Sequence, residues 1–145
     1  GSERRHGGVR GGRGREARFR TLFEGVPDGI FLGSLEGGVF DANPAACELH
    51  GCDREWLIGK SVTDLGPGRI RKEVSAGFQR LVTGEVTRGE GVSLRKDGKA
   101  IPIEFSAGRM LYGDRDALLL HVRDISQRRE QEAMIRKLAS YKQSG

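Results

Sequence analysis

Residues 43–60 read NPAACELHGCDREWLIGK, and this stretch decides the fold. Asn43 is a favourable N-cap residue and Pro44 suits the first position of a helix, so a helix is predicted to begin here. Glycine commonly ends helices, and Gly51 is therefore the predicted end of this one. Asp53 can cap a second short helix directly afterwards. The stretch thus predicts two short helices in succession.

Strand patterns lie on both sides of these helices. The segment 100–111 alternates apolar and polar residues, and the Asp97-Gly98 pair before it favours a tight hairpin. Strands are predicted at 29–34, 38–42, 86–96, 100–111 and 116–124, and longer helices at 16–25, 70–83 and 126–142. The predicted class is α+β, an antiparallel sheet with short helices on one face and a helix at each end.

Charge is concentrated at the start of the chain. The 145 residues carry a formal net charge of +5, and the seven arginines and two glutamates of residues 1–20 account for all of it. Residues 1–15 are rich in glycine and arginine and begin with Gly1-Ser2, which is typical of a tag remnant, so a flexible tail is predicted. Nucleic-acid contact through this tail is the weaker alternative, because it has no aromatic residue to stack on bases.

Motifs of catalysis and metal binding are absent from the sequence. The Gly-x-Ser-x-Gly elbow, the phosphate loop and the His-Glu-x-x-His motif do not occur. Cys47 and Cys52 fit neither a disulfide framework nor a zinc site. No apolar run approaches the ~20 residues of a membrane span. The sequence predicts a cytoplasmic segment without membrane contact, with no catalytic residue and no metal ligand, which is not itself an enzyme.

Four segments together resemble the PAS, or S-box, sensory domain. They are residues 19–30, 43–60, 95–99 and 122–130, and their order matches the family over about residues 17–130. The resemblance implies the strand order 2-1-5-4-3, which spacing alone does not provide. It also implies a sensory module of a bacterial signalling protein, such as a sensor histidine kinase of a two-component system or a cyclic-dinucleotide enzyme.

The resemblance implies a ligand pocket between the inner sheet face and the helices. The residues that match its lining are mostly aliphatic: Ile30, Leu32, Val62, Phe78, Leu81, Phe105, Leu118, Leu120 and Val122. The same side chains can instead fill a solid core. Two hypotheses therefore stay open, a sensor of a small molecule and a ligand-free dimerisation scaffold.

Two cofactor classes of the family are disfavoured by position. Flavin-binding members carry an Asn-Cys-Arg motif where this chain has 61–63, Ser-Val-Thr, and a glutamine where it has Val122. Haem-binding members carry a histidine on the long helix, and residues 70–84 contain none. The cofactor, if there is one, is unknown from the sequence.

Three residues depart from the family pattern or lack an assigned role. His50 and Cys52 stand where the family usually has leucine and an aromatic residue. We expect His50 near solvent at a helix end and Cys52 as a small apolar residue, with a metal or haem ligand pair as the alternative. Trp56 either marks a contact surface or folds back over the core.

One face of the last strand also needs a cover. By analogy with the family, the cover is the N-terminal helix or a second protomer, and a homodimer is expected. The residues assigned to this face are Phe19, Leu22, Phe23, Leu119 and His121.

The end of the sheet is the predicted point of signal relay. Asp124 and Ile125 match the family's junction between the last strand and a signalling helix. We therefore expect a PAS domain at 16–125 and a signalling helix at 126–145. This helix would lead to an output domain in the parent protein, which can itself be a kinase or cyclase.

Overall fold

The computed structural model describes Gly14 and residues 17–144. Helix α1 covers residues 17–25. The elements that follow are β1 Gly29–Gly33, β2 Val39–Ala42, α2 Pro44–His50, α3 Arg54–Leu57, α4 Arg71–Thr83, β3 Arg88–Leu94, β4 Ala100–Tyr112, β5 Arg115–Asp124 and α5 Ser126–Ser144. Two short 3-10 turns, Val62–Leu65 and Gly68–Ile70, connect α3 to α4. The predicted tail at 1–15 lies outside the described residues, apart from Gly14.

The strands form one antiparallel sheet in the order β2-β1-β5-β4-β3. The α+β class and the strand order are both confirmed. In the central strands Phe31 lies opposite Leu120, and Phe105 lies opposite Val122. Side chains of such directly opposed residues share a face. These four residues define what we call the inner face of the sheet, and its reverse is the outer face.

Each face of the sheet carries its own apolar cluster. The main core packs the inner face against the helices and includes Phe31, Ala46, Leu57, Leu65, Phe78, Leu81, Leu118, Leu120 and Val122. A smaller cluster on the outer face buries Phe23 of α1 against Ile30 and Leu32 of β1. Strand β5 contributes to both clusters, because successive residues of a strand point to opposite faces. Leu118 and Leu120 belong to the main core, and Leu119 packs on the smaller cluster.

Asn43 connects α2 to the elements before it. Its side-chain Oδ1 accepts hydrogen bonds from the backbone N–H of Ala46, at 2.9 Å, and of Ile30, at 2.8 Å. Its Nδ2 donates to the carbonyl oxygens of Phe23, at 2.9 Å, and of Asp28, at 3.0 Å. The predicted helix cap is therefore confirmed, and the same side chain also fixes the end of α1 and the start of β1.

Candidate functional site

A cavity of about 320 Å³ lies between the inner face of the sheet and helix α4. Strands β4 and β5 supply alternate residues to it, as their period of two requires. Helix α4 supplies Val74, Phe78 and Leu81, which are spaced four and then three residues apart and so share one helix face. The apolar lining consists of Phe31, Val39, Val62, Leu65, Ile70, Val74, Phe78, Leu81, Val92, Ile103, Phe105, Leu120 and Val122.

Small residues on facing elements leave this space open. Gly91 and Ser93 line the cavity from β3, and Gly77 lines it from the middle of α4. A Cβ atom added at Gly77 would meet no heavy atom within 4 Å. Glycine inside a helix is about 1 kcal/mol less favourable than alanine. Helix α4 thus keeps an unfilled position at a cost to its own stability.

Gly89 has a different reason to be glycine. A Cβ atom at this position would lie 2.9 Å from Cζ of Phe105. The Phe105 ring therefore rests against the bare backbone of β3, where a side chain would displace it.

The sequence-predicted lining residues divide into three groups. Six of them border the cavity: Val62, Phe78, Leu81, Phe105, Leu120 and Val122. Leu118 belongs to the main core but does not border the cavity. The prediction for Ile30 and Leu32 is wrong, because these residues lie on the outer face, opposite His121 and Leu119.

The prediction for β1 assigned the wrong residues to the inner face, because it was shifted by one residue along the strand. Strand β1 is buried along its whole length, so its apolar run contains no alternation from which a face can be read. Phe31, which the sequence reasoning missed, is the β1 residue that borders the cavity. The pairing with Leu120 decides this, and pairing is not visible in the β1 sequence.

His50 forms a buried polar wall of the cavity. It is 1% exposed, so the expectation that it lies near solvent is wrong. Its Nδ1 lies 3.1 Å from the carbonyl oxygen of Ala46, and its Nε2 lies 2.6 Å from Oγ of Ser93. Because a carbonyl only accepts, the proton of the neutral ring belongs on Nδ1, and Nε2 accepts the single proton of the Ser93 hydroxyl, whose oxygen lies closer to Nε2, at 2.6 Å, than to the Leu65 carbonyl oxygen, at 3.3 Å. The ring also meets Phe31 edge-on, with centroids 5.4 Å apart.

Stability should depend on pH through His50. Burial lowers the pKa of His50 below its ordinary value of 6.5, and the charge of nearby Arg95 acts in the same direction. The unfolded chain therefore binds a proton first as the pH falls, so this contribution is complete above about pH 6.5 and is lost below it. We expect the free energy of unfolding to fall by about 0.5–1 kcal/mol between pH 7 and 5.5.

Urea unfolding at both pH values measures this effect. His50→Gln should weaken the pH dependence, whereas His121→Gln, which changes the half-exposed histidine beside Asp28, should retain the part due to His50. An equal pH dependence in the wild type and His50→Gln would contradict the assignment.

The residues predicted to form a covered outer face are only partly brought together. Phe23 is buried, and Phe19 and Leu119 pack on the same cluster. Leu22 is 67% exposed and does not join them. Within the described chain, α1 covers the apolar cluster of this face.

Asp28 holds the half-exposed end of that face. Its Oδ2 lies 2.9 Å from Nε2 of His121 and 3.1 Å from the guanidinium of Arg123. The hydrogen bond from Arg123 is the largest influence that lowers the pKa of Asp28. His121 therefore lies within hydrogen-bonding distance of Asp28 at the edge of this face rather than in the interior of the apolar cluster.

Trp56 and the two cysteines pack at the edge of the main core. Trp56 is half-buried, and the Lys60 ammonium lies 4.2 Å from its ring centroid. Cys47 and Cys52 are free, half-buried thiols that pack on the same core. Burial raises the pKa of both thiols, which favours the unreactive protonated form.

The junction between sheet and exit helix is tightly bonded. Ile125 is 2% exposed, and its N–H donates to the carbonyl of Pro102 in β4 at 3.0 Å. The Asp124 carboxylate accepts from the N–H of Ser126 at 2.8 Å. Ile125 thus ties the start of α5 to the sheet interior, and the Asp124 carboxylate satisfies the N–H of the first residue of α5.

A second connection between α5 and the sheet was missed by sequence reasoning. Glu90 of β3 and Glu104 of β4 lie directly opposite each other, which alone is unfavourable. The Arg129 guanidinium lies 2.8 Å from Glu90, and that of Arg128 lies 3.2 Å from Glu104 and 3.6 Å from Glu90. We call these four residues the exit-helix clamp. In the sequence, the clamp is indicated only by the adjacent arginines Arg128 and Arg129 near the start of the charged helix.

The rest of α5 presents apolar side chains to solvent. Met134, Ile135, Leu138 and Tyr141 are 56–71% exposed. Across the part of the chain that the structure describes, no helix is both long and apolar enough to cross a membrane. In the same part, no group of three or more His, Cys, Asp or Glu residues is placed to hold a metal ion.

Residues 17–125 match the PAS fold family. A domain of a sensory box sensor histidine kinase/response regulator from Geobacter sulfurreducens has a similar crystal structure. It is 31% identical, with a TM-score of 0.63, and the match covers 74% of this chain and 92% of that one.

Two curated relatives are sensors by name. The methyl sulfide methyltransferase-associated sensor of Methanosarcina acetivorans is 25% identical over 118 residues, which is 81% of this chain and 12% of that protein. Sensor protein FixL of Bradyrhizobium diazoefficiens is 26% identical over 137 residues, which is 88% of this chain and 26% of that protein. The chain therefore spans only a small part of the length of these relatives.

Proposed function

Because the chain belongs to the PAS family of sensory modules, we propose that it binds a small molecule in its cavity and relays occupancy to a C-terminal output domain. The open position at Gly77 is the observation that carries this proposal. A solid core would gain from a side chain there, since filling space adds contacts and alanine also favours the helix. The ligand-free dimerisation scaffold has no use for the space and is the alternative to be tested.

The cavity has the composition of a small-molecule site. Its volume of about 320 Å³ falls within the range of ~300–1,000 Å³ that is usual for such sites. Its walls are mostly apolar, and the polar residues that border it include the hydrogen-bonded His50–Ser93 pair and Glu73. Such a site binds through shape and apolar contact, and a few polar groups orient the ligand.

Two routes connect the cavity to α5. Strand β3 borders the cavity from Glu90 to Ser93, and Glu90 is also a member of the exit-helix clamp. Strand β5 borders it through Val122 and continues to Asp124 and Ile125 at the junction. A ligand that shifts either strand changes the contacts that hold the first turn of α5. The ligand would then bind the two positions of the strand with different affinity, which is what shifts a two-state equilibrium.

We also propose how this domain is built into a larger signalling protein. We assign 16–125 to the sensory domain and 126–145 to the signalling helix, and the Gly/Arg-rich tail at 1–15 to a linker. The exposed apolar residues of α5 support a homodimer through this helix, within a cytoplasmic part of a two-component sensor kinase or a cyclic-dinucleotide enzyme. Catalysis would belong to the output domain.

A cavity-filling variant tests the proposal. Benzene binds dry apolar cavities of this kind. In a thermal melt it should raise the Tm of the wild type by about 5 °C once its concentration exceeds its Kd tenfold. Gly77→Leu should abolish the shift, and in the parent protein it should make output insensitive to the signal. Ala76→Leu is the matched control, because Ala76 is exposed on the same helix.

The scaffold alternative predicts the opposite results. Absence of a benzene shift in the wild type, together with an unchanged signal response in Gly77→Leu, would overturn the proposed function.

A further inference from the structure

The ionisable residues around the cavity are of one sign. Glu73 of α4 and Glu90 of β3 border it, but the Glu90 carboxylate lies on the outer face, bonded to Arg129; among the described residues, no lysine or arginine borders the cavity. His50 is neutral in the hydrogen-bonding arrangement described above and is already bonded to Ser93. An anionic ligand would therefore enter apolar surroundings without a cationic partner, which is strongly unfavourable.

The two carboxylates differ in availability. Glu90 is engaged by Arg129 at 2.8 Å. Glu73 is exposed, and within the described chain it forms no ion pair. An exposed residue that also borders the cavity lies at its opening, so Glu73 places at the mouth a carboxylate that forms no ion pair among the described residues. It also lies in the first turn of α4, where it offsets the attraction of that helix end for anions.

The interior supplies aromatic surface from three sides. Phe31 of β1, Phe78 of α4 and Phe105 of β4 all border the cavity. Their rings favour flat apolar groups, and their negative faces attract cations. The interior therefore favours a flat apolar body, while Glu73 favours a cationic group at the mouth.

Resting on the proposed function, we propose that the cavity takes a small apolar compound with a protonated amine. The apolar body lies among the three phenylalanine rings, and the ammonium group lies at the mouth beside Glu73. A carboxylate of the same size is rejected.

Three probes with a common phenyl body test the charge preference. They are 2-phenylethylamine, 2-phenylethanol and phenylacetate, titrated at pH 7.5 by calorimetry. We expect the amine to bind most tightly, the alcohol next and phenylacetate most weakly. Glu73→Gln should reduce the preference for the amine over the alcohol by about two- to fivefold, as expected for an exposed ion pair. Glu130→Gln, which removes an exposed carboxylate of α5 outside the lining, should leave the preference unchanged.

Failure of this inference differs from failure of the proposed function. Phenylacetate binding as tightly as the amine, or an unchanged preference in Glu73→Gln, would overturn the amine proposal alone. The same holds if benzene binds and the amine does not. If neither benzene nor any of the three probes binds, the cavity takes no ligand and both proposals fail.

Discussion

Asn43→Ala should lower the free energy of unfolding by about 3 kcal/mol. The side chain is fully buried and makes four hydrogen bonds. Alanine would remove the cap of α2 and leave the N–H of Ile30 and the carbonyls of Phe23 and Asp28 without these partners. Each buried polar group left unpaired costs about 1–3 kcal/mol before relaxation.

Urea unfolding followed by circular dichroism measures the loss. Ser61→Ala is the matched control, because Ser61 caps a short 3-10 turn in a half-buried position, and its loss should cost less than about 1 kcal/mol. A cooperative transition displaced by less than 1 kcal/mol in Asn43→Ala would contradict the structural role of this residue. Complete loss of the transition would be the extreme form of the expected result.

Removing the exit-helix clamp should change signalling output by about five- to tenfold, with little effect on stability. Its ion pairs are about half exposed, so each contributes at most about 1 kcal/mol to folding. The same energy is large for signalling, however, because a change of 1.4 kcal/mol in the free-energy difference between two signalling states alters their equilibrium constant tenfold. The variant Arg128→Gln/Arg129→Gln in the parent protein is the appropriate one.

Output activity with and without signal is the measurement, with the melting temperature of the isolated domain beside it. Arg136→Gln on the same helix is the control, since Arg136 is exposed and outside the clamp. The charge swap Glu90→Arg/Arg129→Glu should restore part of the response that either single change removes. Unaltered output in the double glutamine variant would assign the relay to Asp124 and Ile125 without the clamp.

Local sequence determined most of the elements. Asn43, Pro44 and Gly51 delimit α2 through capping and backbone conformation, which involve only neighbouring residues. The alternation of β5 predicted which of its residues face the helices, because Leu118, Leu120 and Val122 are all apolar and lie on one face of the strand. These features were predictable because their causes act within a few residues along the chain.

Tertiary structure decided those parts of the site that depend on contacts between residues distant in sequence. Which face Ile30, Phe31 and Leu32 occupy depends on pairing with β5, since β1 is apolar on both sides. The burial of His50 depends on Ser93, which lies 43 residues away on another strand. The clamp likewise joins residues that are distant in sequence.

The cavity is the clearest case of this division. Gly77 and Gly91 are visible in the sequence, but a glycine can serve a turn, a close contact or an empty space. Only the packing of α4 against β3 distinguishes these uses, because a void is defined by what surrounds it. The sequence by itself therefore determined the sheet and its helices, while long-range packing decided where the cavity between α4 and the sheet lies and which side chains border it.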